Sequence, residues 1–180
     1  MMKRYGVWVA ASLLVVILPQ IFDSGFAVTM MSEMCIAIIF ALSYNMLLGQ
    51  GGMLSFGHAV FYGFGGFIAI HAIKLVNDGA SVIPLELIPL VGGVAGFLFA
   101  LLLGYISTKK AGTTFALISL GLVELVVACV LLFPSFFGGE EGVSADRMLD
   151  YSITGFGFGS GIEVFYLIAF WMVIATALMR

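Results

Sequence analysis

The sequence predicts an all-α protein, a polytopic membrane helix bundle of about six transmembrane helices with a glycine-rich break between the second and the third. Of its 180 residues, 62% are hydrophobic and only 9% are charged, against roughly 25% charged residues in a soluble globular domain. Several stretches run about 18 residues without a charge, long enough to cross a hydrocarbon layer of ~30 Å. We therefore expect residues 1–180 to form a single transmembrane domain whose main solvent is the lipid bilayer.

Apolar runs bounded by turn residues define the spans in order along the chain. The turns include Asp23-Ser24-Gly25 before the second span and Asn77-Asp78-Gly79 after the third. The first span has an alternative, because Lys3-Arg4, an apolar stretch and Gly25-Phe26-Ala27 also resemble a signal peptide with its cleavage site. The predicted spans are Tyr5 to Phe22, Phe26 to Leu48, His58 to Val76, Pro84 to Ser107, Gly112 to Phe133 and Ile162 to Met179.

The basic residues predict the orientation of the chain, since Lys and Arg near span ends are retained in the cytoplasm. A cytoplasmic N-terminus places five of the seven basic residues inside and leaves only Lys74 and Arg147 outside. The segment Pro134 to Gly161 then becomes an external acidic loop, in which Glu140 and Glu141 follow Gly138 and Gly139.

Small residues recur every four positions in the fourth span, where they predict a face for close helix packing. This row could serve simple bundle packing and need have no role in transport. Its members are Gly92, Gly96, Ala100 and Gly104.

The composition also excludes several kinds of site. Cys35 and Cys129 lie inside apolar runs, so we interpret them as small membrane-buried side chains. His58 and His71 are too far apart in the chain to suggest a metal site, and we expect neither a metal nor a cofactor. A net charge of −3 without a basic cluster gives no support for nucleic-acid binding. No Gly-x-x-x-x-Gly-Lys-Ser/Thr loop is present, so nucleotide phosphates are not bound by that route.

Glu124 lies near the middle of the fifth span, where an ionised carboxylate costs at least ~2.5 kcal/mol. Small residues at Gly112, Ala116 and Ala128 share its four-residue register, which Leu120 interrupts, and indicate a face turned away from lipid. Glu124 is therefore a candidate for the translocation path, and a protonated acid bonded to a neighbouring helix is the alternative. Glu33 is close to the start of its span and could reach the membrane interface instead.

The segment from Asn45 to His58 contains the remaining candidates for a translocation path. Four glycines lie within the nine residues from Gly49 to Gly57, and each lowers helix stability by close to 1 kcal/mol relative to alanine. Broken backbone at membrane depth is tolerated only where it is buried in protein or lines a water-filled cavity. An ordinary cytoplasmic turn is the alternative. The candidate residues here are Asn45, Gly49, Gln50, Ser55, Gly57 and His58.

Three motifs resemble a known family. The run from Ala41 to Ala59, continued by Phe61-Tyr62-Gly63-Phe64-Gly65-Gly66, is similar to the signature of branched-chain amino acid ABC transporter permeases of the LivM/LivH type. The stretch from Gly112 through Glu124 resembles a later helix of that family, and Gly138-Gly139-Glu140-Glu141-Gly142-Val143 resembles its external glycine-acidic motif.

The resemblance implies a transport subunit of a bacterial inner membrane and not an enzyme. It implies import of leucine, isoleucine, valine or related amino acids, with a second permease subunit, two cytoplasmic ATPase subunits and a periplasmic substrate-binding protein as partners. Family members continue beyond a span like the last one here into a cytoplasmic coupling loop, so we expect a chain that stops at Arg180 to be a fragment or a truncated product. The alternatives are a passive channel or secondary transporter for a small polar solute, and a non-transporting membrane assembly subunit.

Overall fold

A computed structural model of the protein describes residues 15–22, 24–80, 83–110, 112–146 and 159–179. The described residues are helices joined by turns, with no strand among them, which confirms the predicted all-α fold class. Residues 15–21 form a helix, α1. The further α-helices are α2 (Gly25–Asn45), α3 (His58–Asn77), α4 (Ile88–Ser107), α5 (Thr113–Leu132), the one-turn α6 (Pro134–Phe137) and α7 (Gly161–Leu178).

Five helical segments in the described part of the chain are long and apolar enough to cross a membrane. Their ends lie within two residues of the predicted second to sixth spans, because the length of an apolar run sets the length of a spanning helix. The predicted first span, Tyr5 to Phe22, lies largely outside the described residues, as do Lys3, Arg4, Arg147 and Arg180. The five segments are Gly25–Gln50, His58–Asn77, Leu85–Ser107, Thr113–Leu132 and Gly161–Leu178.

The chain divides into two compact units, residues 1–45 with 156–180 and residues 46–155; a single domain over 1–180 stays a prediction. In the first unit α2 packs on α7. Phe165 of α7, 2% exposed, belongs to a core cluster with Val28 and Cys35 of α2. Ser160 is the N-cap of α7. Its side chain accepts a hydrogen bond from the Glu163 N–H at 3.4 Å, which satisfies one of the free donors at a helix N-terminus.

In the second unit, α3 and α4 pack together where glycines remove the side chains between them. A Cβ on Gly65 of α3 would lie 2.7 Å from the Gly92 carbonyl oxygen of α4, and one on Gly92 would lie 2.8 Å from the Gly65 carbonyl oxygen. Both positions therefore require glycine, as expected where apolar helices associate by close backbone approach. Phe64 of α3 stacks on Phe99 of α4 with ring centroids 4.0 Å apart.

The glycine-rich break between α2 and α3 is present, but it begins later than the sequence predicts. After α2 the chain continues as a π-helical turn over Met46–Gln50, so Gly49 and Gln50 still belong to the helix. The Gly51 N–H donates to the Met46 carbonyl at 3.3 Å. The helix ends where Gly52 adopts φ +62°, a left-handed conformation that glycine adopts without steric cost.

Candidate functional site

The C-terminal end of the break packs against α5 at Ser119. The Phe56 N–H donates to the Ser119 hydroxyl at 3.0 Å, and that hydroxyl donates to the Ala116 carbonyl at 2.8 Å. A Cβ on Gly57 would lie 2.7 Å from the Ser119 carbonyl oxygen, closer than real Cβ contacts. The backbone of the break thus lies directly against the backbone of α5, and a serine hydroxyl bridges the two.

The polar residues of the break separate into a buried and an exposed group. Ser55 is 4% exposed and Gly57 is buried, at the end that contacts α5. Asn45 and Gln50 are exposed, and His58 is half-buried at the start of α3. The structure therefore brings Ser55 and Gly57 to one place beside Ser119 and leaves Asn45 and Gln50 on the surface of the chain.

Glu124 does not face the contact between the break and Ser119. It lies five residues beyond Ser119 on the same helix, which is roughly 140° round the helix axis. Glu124 is exposed, and none of the described residues forms a hydrogen bond or ion pair with it. Gly121 and Ala128, which share its exposed face, leave space for a neighbouring helix. Both its role in a translocation path and the alternative, a protonated acid bonded to a neighbouring helix, remain predictions.

Two side chains of α3 hold the loop that follows α5. The His71 Nε2–H donates to the Phe136 carbonyl at 2.7 Å, and because a carbonyl oxygen only accepts, Nε2 carries the proton. The imidazole also stacks on the Phe136 ring, with centroids 4.7 Å apart. Six residues further along α3, the Asn77 amide donates to the Asp146 carbonyl at 2.9 Å. The segment 136–146 is thus attached to α3 near both of its ends.

Within that segment the glycine-acidic motif forms a tight turn. Gly138 has φ +79°, and a Cβ there would clash with the Gly142 carbonyl group, so this position requires glycine. Gly139 opens a 3-10 turn that ends at Glu141. Glu140 and Glu141 are exposed on it. The turn therefore displays two carboxylates on a loop whose ends are fixed.

Only part of the small-residue row of the fourth span packs against α3. Gly92 contacts α3 as described above, and a Cβ on Gly96 would lie 3.1 Å from the Phe61 carbonyl oxygen. Ala100 is half-buried. A Cβ on Gly104 would meet nothing within 4 Å. Each step of four residues advances the row about 40° round the helix, so its far end turns away from α3.

Sequence reasoning missed Ser119 and His71 as site residues. Ser119 is 2% exposed and His71 lies within α3, and a polar side chain within an apolar span is the signal that could have selected both. Their roles depend on partners 63 and 65 residues away in the chain. In the described part of the chain, no three His, Cys, Asp or Glu side chains are grouped to hold a metal ion.

A family model for the permease component of branched-chain amino acid transport systems matches residues 26–180. The match includes the break, its seat on α5 and the acidic turn. No curated protein and no solved structure matches the chain significantly.

Proposed function

Because the chain belongs to the branched-chain amino acid transport permease family, we propose that it is the membrane-spanning permease subunit of an ABC importer. The substrates are leucine, isoleucine, valine or related amino acids, delivered by a periplasmic binding protein. The membrane is the bacterial inner membrane, with the N-terminus of the chain in the cytoplasm. The chain is then a transport subunit, and ATP hydrolysis takes place in separate partners.

The observation that supports this proposal is the contact between the break and α5. A helix that ends at Gln50 and restarts at His58 exposes backbone donors and acceptors, which are costly in hydrocarbon. Here the Phe56 N–H is satisfied by Ser119, and Ser55 and Gly57 are buried in protein. Transporters place such interruptions where the backbone lines a path. A simple surface turn would not need this burial.

The proposed path uses the break and the centre of α5. The break contributes Gly49, Gln50, Ser55, Gly57 and His58 to the proposed path, and Asn45 stays a candidate on sequence grounds alone. A second permease subunit covers Glu124, whose exposed carboxyl is then removed from lipid. Closure of the two ATPase subunits drives alternating access.

The acidic turn is the proposed docking element for the binding protein. Alternation of the spans places the end of α3 and the end of α5 on the same side, and the hydrogen bond from Asn77 to Asp146 joins the end of α3 to the segment that follows α5. With the N-terminus inside, that side is the periplasm. Exposed Glu140 and Glu141 would meet basic side chains of the binding protein.

Affinity purification of the protein from its native membranes in mild detergent tests this function. We expect ATPase subunits and a second permease to copurify. Recovery of the chain alone, with solute flux in vesicles that contain only this chain, would instead support a passive channel or secondary transporter. A subunit without a transport role predicts unchanged flux after large substitutions in the break.

A further inference from the structure

An apolar cavity of about 210 Å³ lies between α3 and α5. One face of α3 forms most of its wall, and single residues of α5 and α6 complete it. The lining residues are Ala59, Val60, Gly63, Phe64, Phe67, Val126 and Phe137.

The cavity is lined by residues that adjoin both elements of the candidate site. Its first lining residue, Ala59, lies two positions after Gly57, which is seated on Ser119. At the other end Phe137 packs edge to face on Phe67, with ring centroids 5.0 Å apart, and Phe137 adjoins the acidic turn. The apolar space therefore lies between the residue that follows the break and the residue that precedes the acidic turn.

The size and chemistry of the cavity restrict what it can hold. No side chain of the lining is charged or polar, so an ammonium or carboxylate group would lose its hydration there without replacement. Sites that enclose a whole drug-sized ligand measure roughly 300–1,000 Å³, and this cavity is smaller. A single aliphatic group is small enough for the cavity and has no charge that would lose its hydration there. A Cβ on Gly63 would meet nothing within 4 Å, so the absence of a side chain there keeps the space open.

We propose that this cavity receives the branched aliphatic side chain of the transported amino acid, while its charged groups remain outside the apolar lining. The inference rests on the proposed function, and it assigns the recognition of the side chain to α3 and α5. Gly63 is then a specificity-determining position, because any side chain there occupies the space that the substrate needs.

Uptake by the complete complex in vesicles tests the proposal, with L-leucine and L-valine presented in turn by the binding protein. Gly63→Leu fills the cavity, and Gly66→Leu is the matched control, because Gly66 lies on the same helix with equally open space but outside the lining. We expect Gly63→Leu to transport leucine about tenfold more slowly than the control, since one methylene in an apolar pocket changes selectivity about 10- to 200-fold. The smaller Gly63→Ala should shift the leucine-to-valine ratio toward valine. Equal uptake by Gly63→Leu and Gly66→Leu would overturn the proposal.

Photolabelling provides a readout that requires neither ATP nor transport. A leucine analogue with a diazirine in its side chain should label peptides of α3 and α5 that contain Phe64 and Val126, and excess L-leucine should prevent the labelling. Labelling elsewhere, or labelling that leucine does not prevent, would contradict the proposal. A wild-type complex that is labelled in this way but shows no ATP-driven uptake would count against the proposed function alone.

Discussion

The main-chain N–H of Phe56 and the hydroxyl of Ser119 lie 3.0 Å apart, and this hydrogen bond joins the glycine-rich break to the first half of α5. Polar groups in a membrane protein are commonly satisfied within their own helix, as for the Ser32 hydroxyl, which donates to the Val28 carbonyl at 2.9 Å. Ser119 instead accepts from a segment 63 residues away. This side-chain hydrogen bond, together with the close approach of Gly57 to the Ser119 carbonyl, holds the end of the break against α5.

Ser119→Ala should detach the break from α5. The part-buried Phe56 N–H loses its acceptor, and an unsatisfied donor costs up to about 1–3 kcal/mol where it is fully buried. We expect a lower melting temperature of the purified complex and slower amino acid uptake. Ser32→Ala is the control, because its hydroxyl bonds only within its helix turn. Similar losses in the two variants would contradict the special role of Ser119.

Gly57→Ala should disturb the contact between the break and Ser119 by a change in the break itself. The added Cβ would lie 2.7 Å from the Ser119 carbonyl oxygen, which is backbone and cannot rotate away. Gly66→Ala adds the same methyl group into open space and should raise helix propensity. Uptake assays at matched membrane abundance should show a loss for Gly57→Ala alone. Unimpaired uptake by Gly57→Ala would remove the break from the mechanism.

His71→Ala should release the acidic turn from α3, because the Phe136 carbonyl loses its donor and the ring contact disappears. If the turn docks the binding protein, the variant needs a higher binding-protein concentration for half-maximal uptake, and its maximal rate is unchanged. His71→Gln keeps an N–H donor on a side chain of similar reach and should recover most of the wild-type value. A fall in maximal rate with no change in half-saturation would argue against a docking role.

Glu124→Ala should lower uptake, because the carboxyl lies at the centre of a spanning helix, where an acid without a role is costly. The described residues supply it no polar partner, so its expected partner is another subunit. Glu33→Ala is the matched control, since Glu33 is an exposed acid in the first half of α2. Crosslinking between cysteines at position 124 of two permeases tests the interface directly. Normal uptake and no crosslink in the Glu124 variants would exclude both roles.

The spanning helices were predictable because their apolar length is a property of the chain itself. The five described spans end within two residues of their predicted bounds. The start of the break was less predictable, since Gly49 and Gln50 remain in a π-helical turn although glycine disfavours helix. Glycine content indicates that a helix will weaken, but neighbouring contacts decide at which residue it ends.

The site was only partly predictable. Ser55 and Gly57 were selected from the sequence for their residue types, and they lie together at α5. Ser119 and His71 were not selected, because nothing near them in the chain marks partners more than 60 residues away. Glu124 was expected to lie beside small residues, and Ala128, one turn further along α5, is exposed as Glu124 is. Its place in a translocation path stays a prediction.

ATP-driven uptake of labelled L-leucine tests the central claim most directly. The purified complex is placed in vesicles with ATP inside and leucine-loaded binding protein outside. We predict accumulation above the external leucine concentration that requires both ATP and binding protein, and that falls when Gly57→Ala replaces the wild-type chain. Equilibration of leucine without ATP, or accumulation by the Gly57→Ala complex at the wild-type rate, would contradict the account.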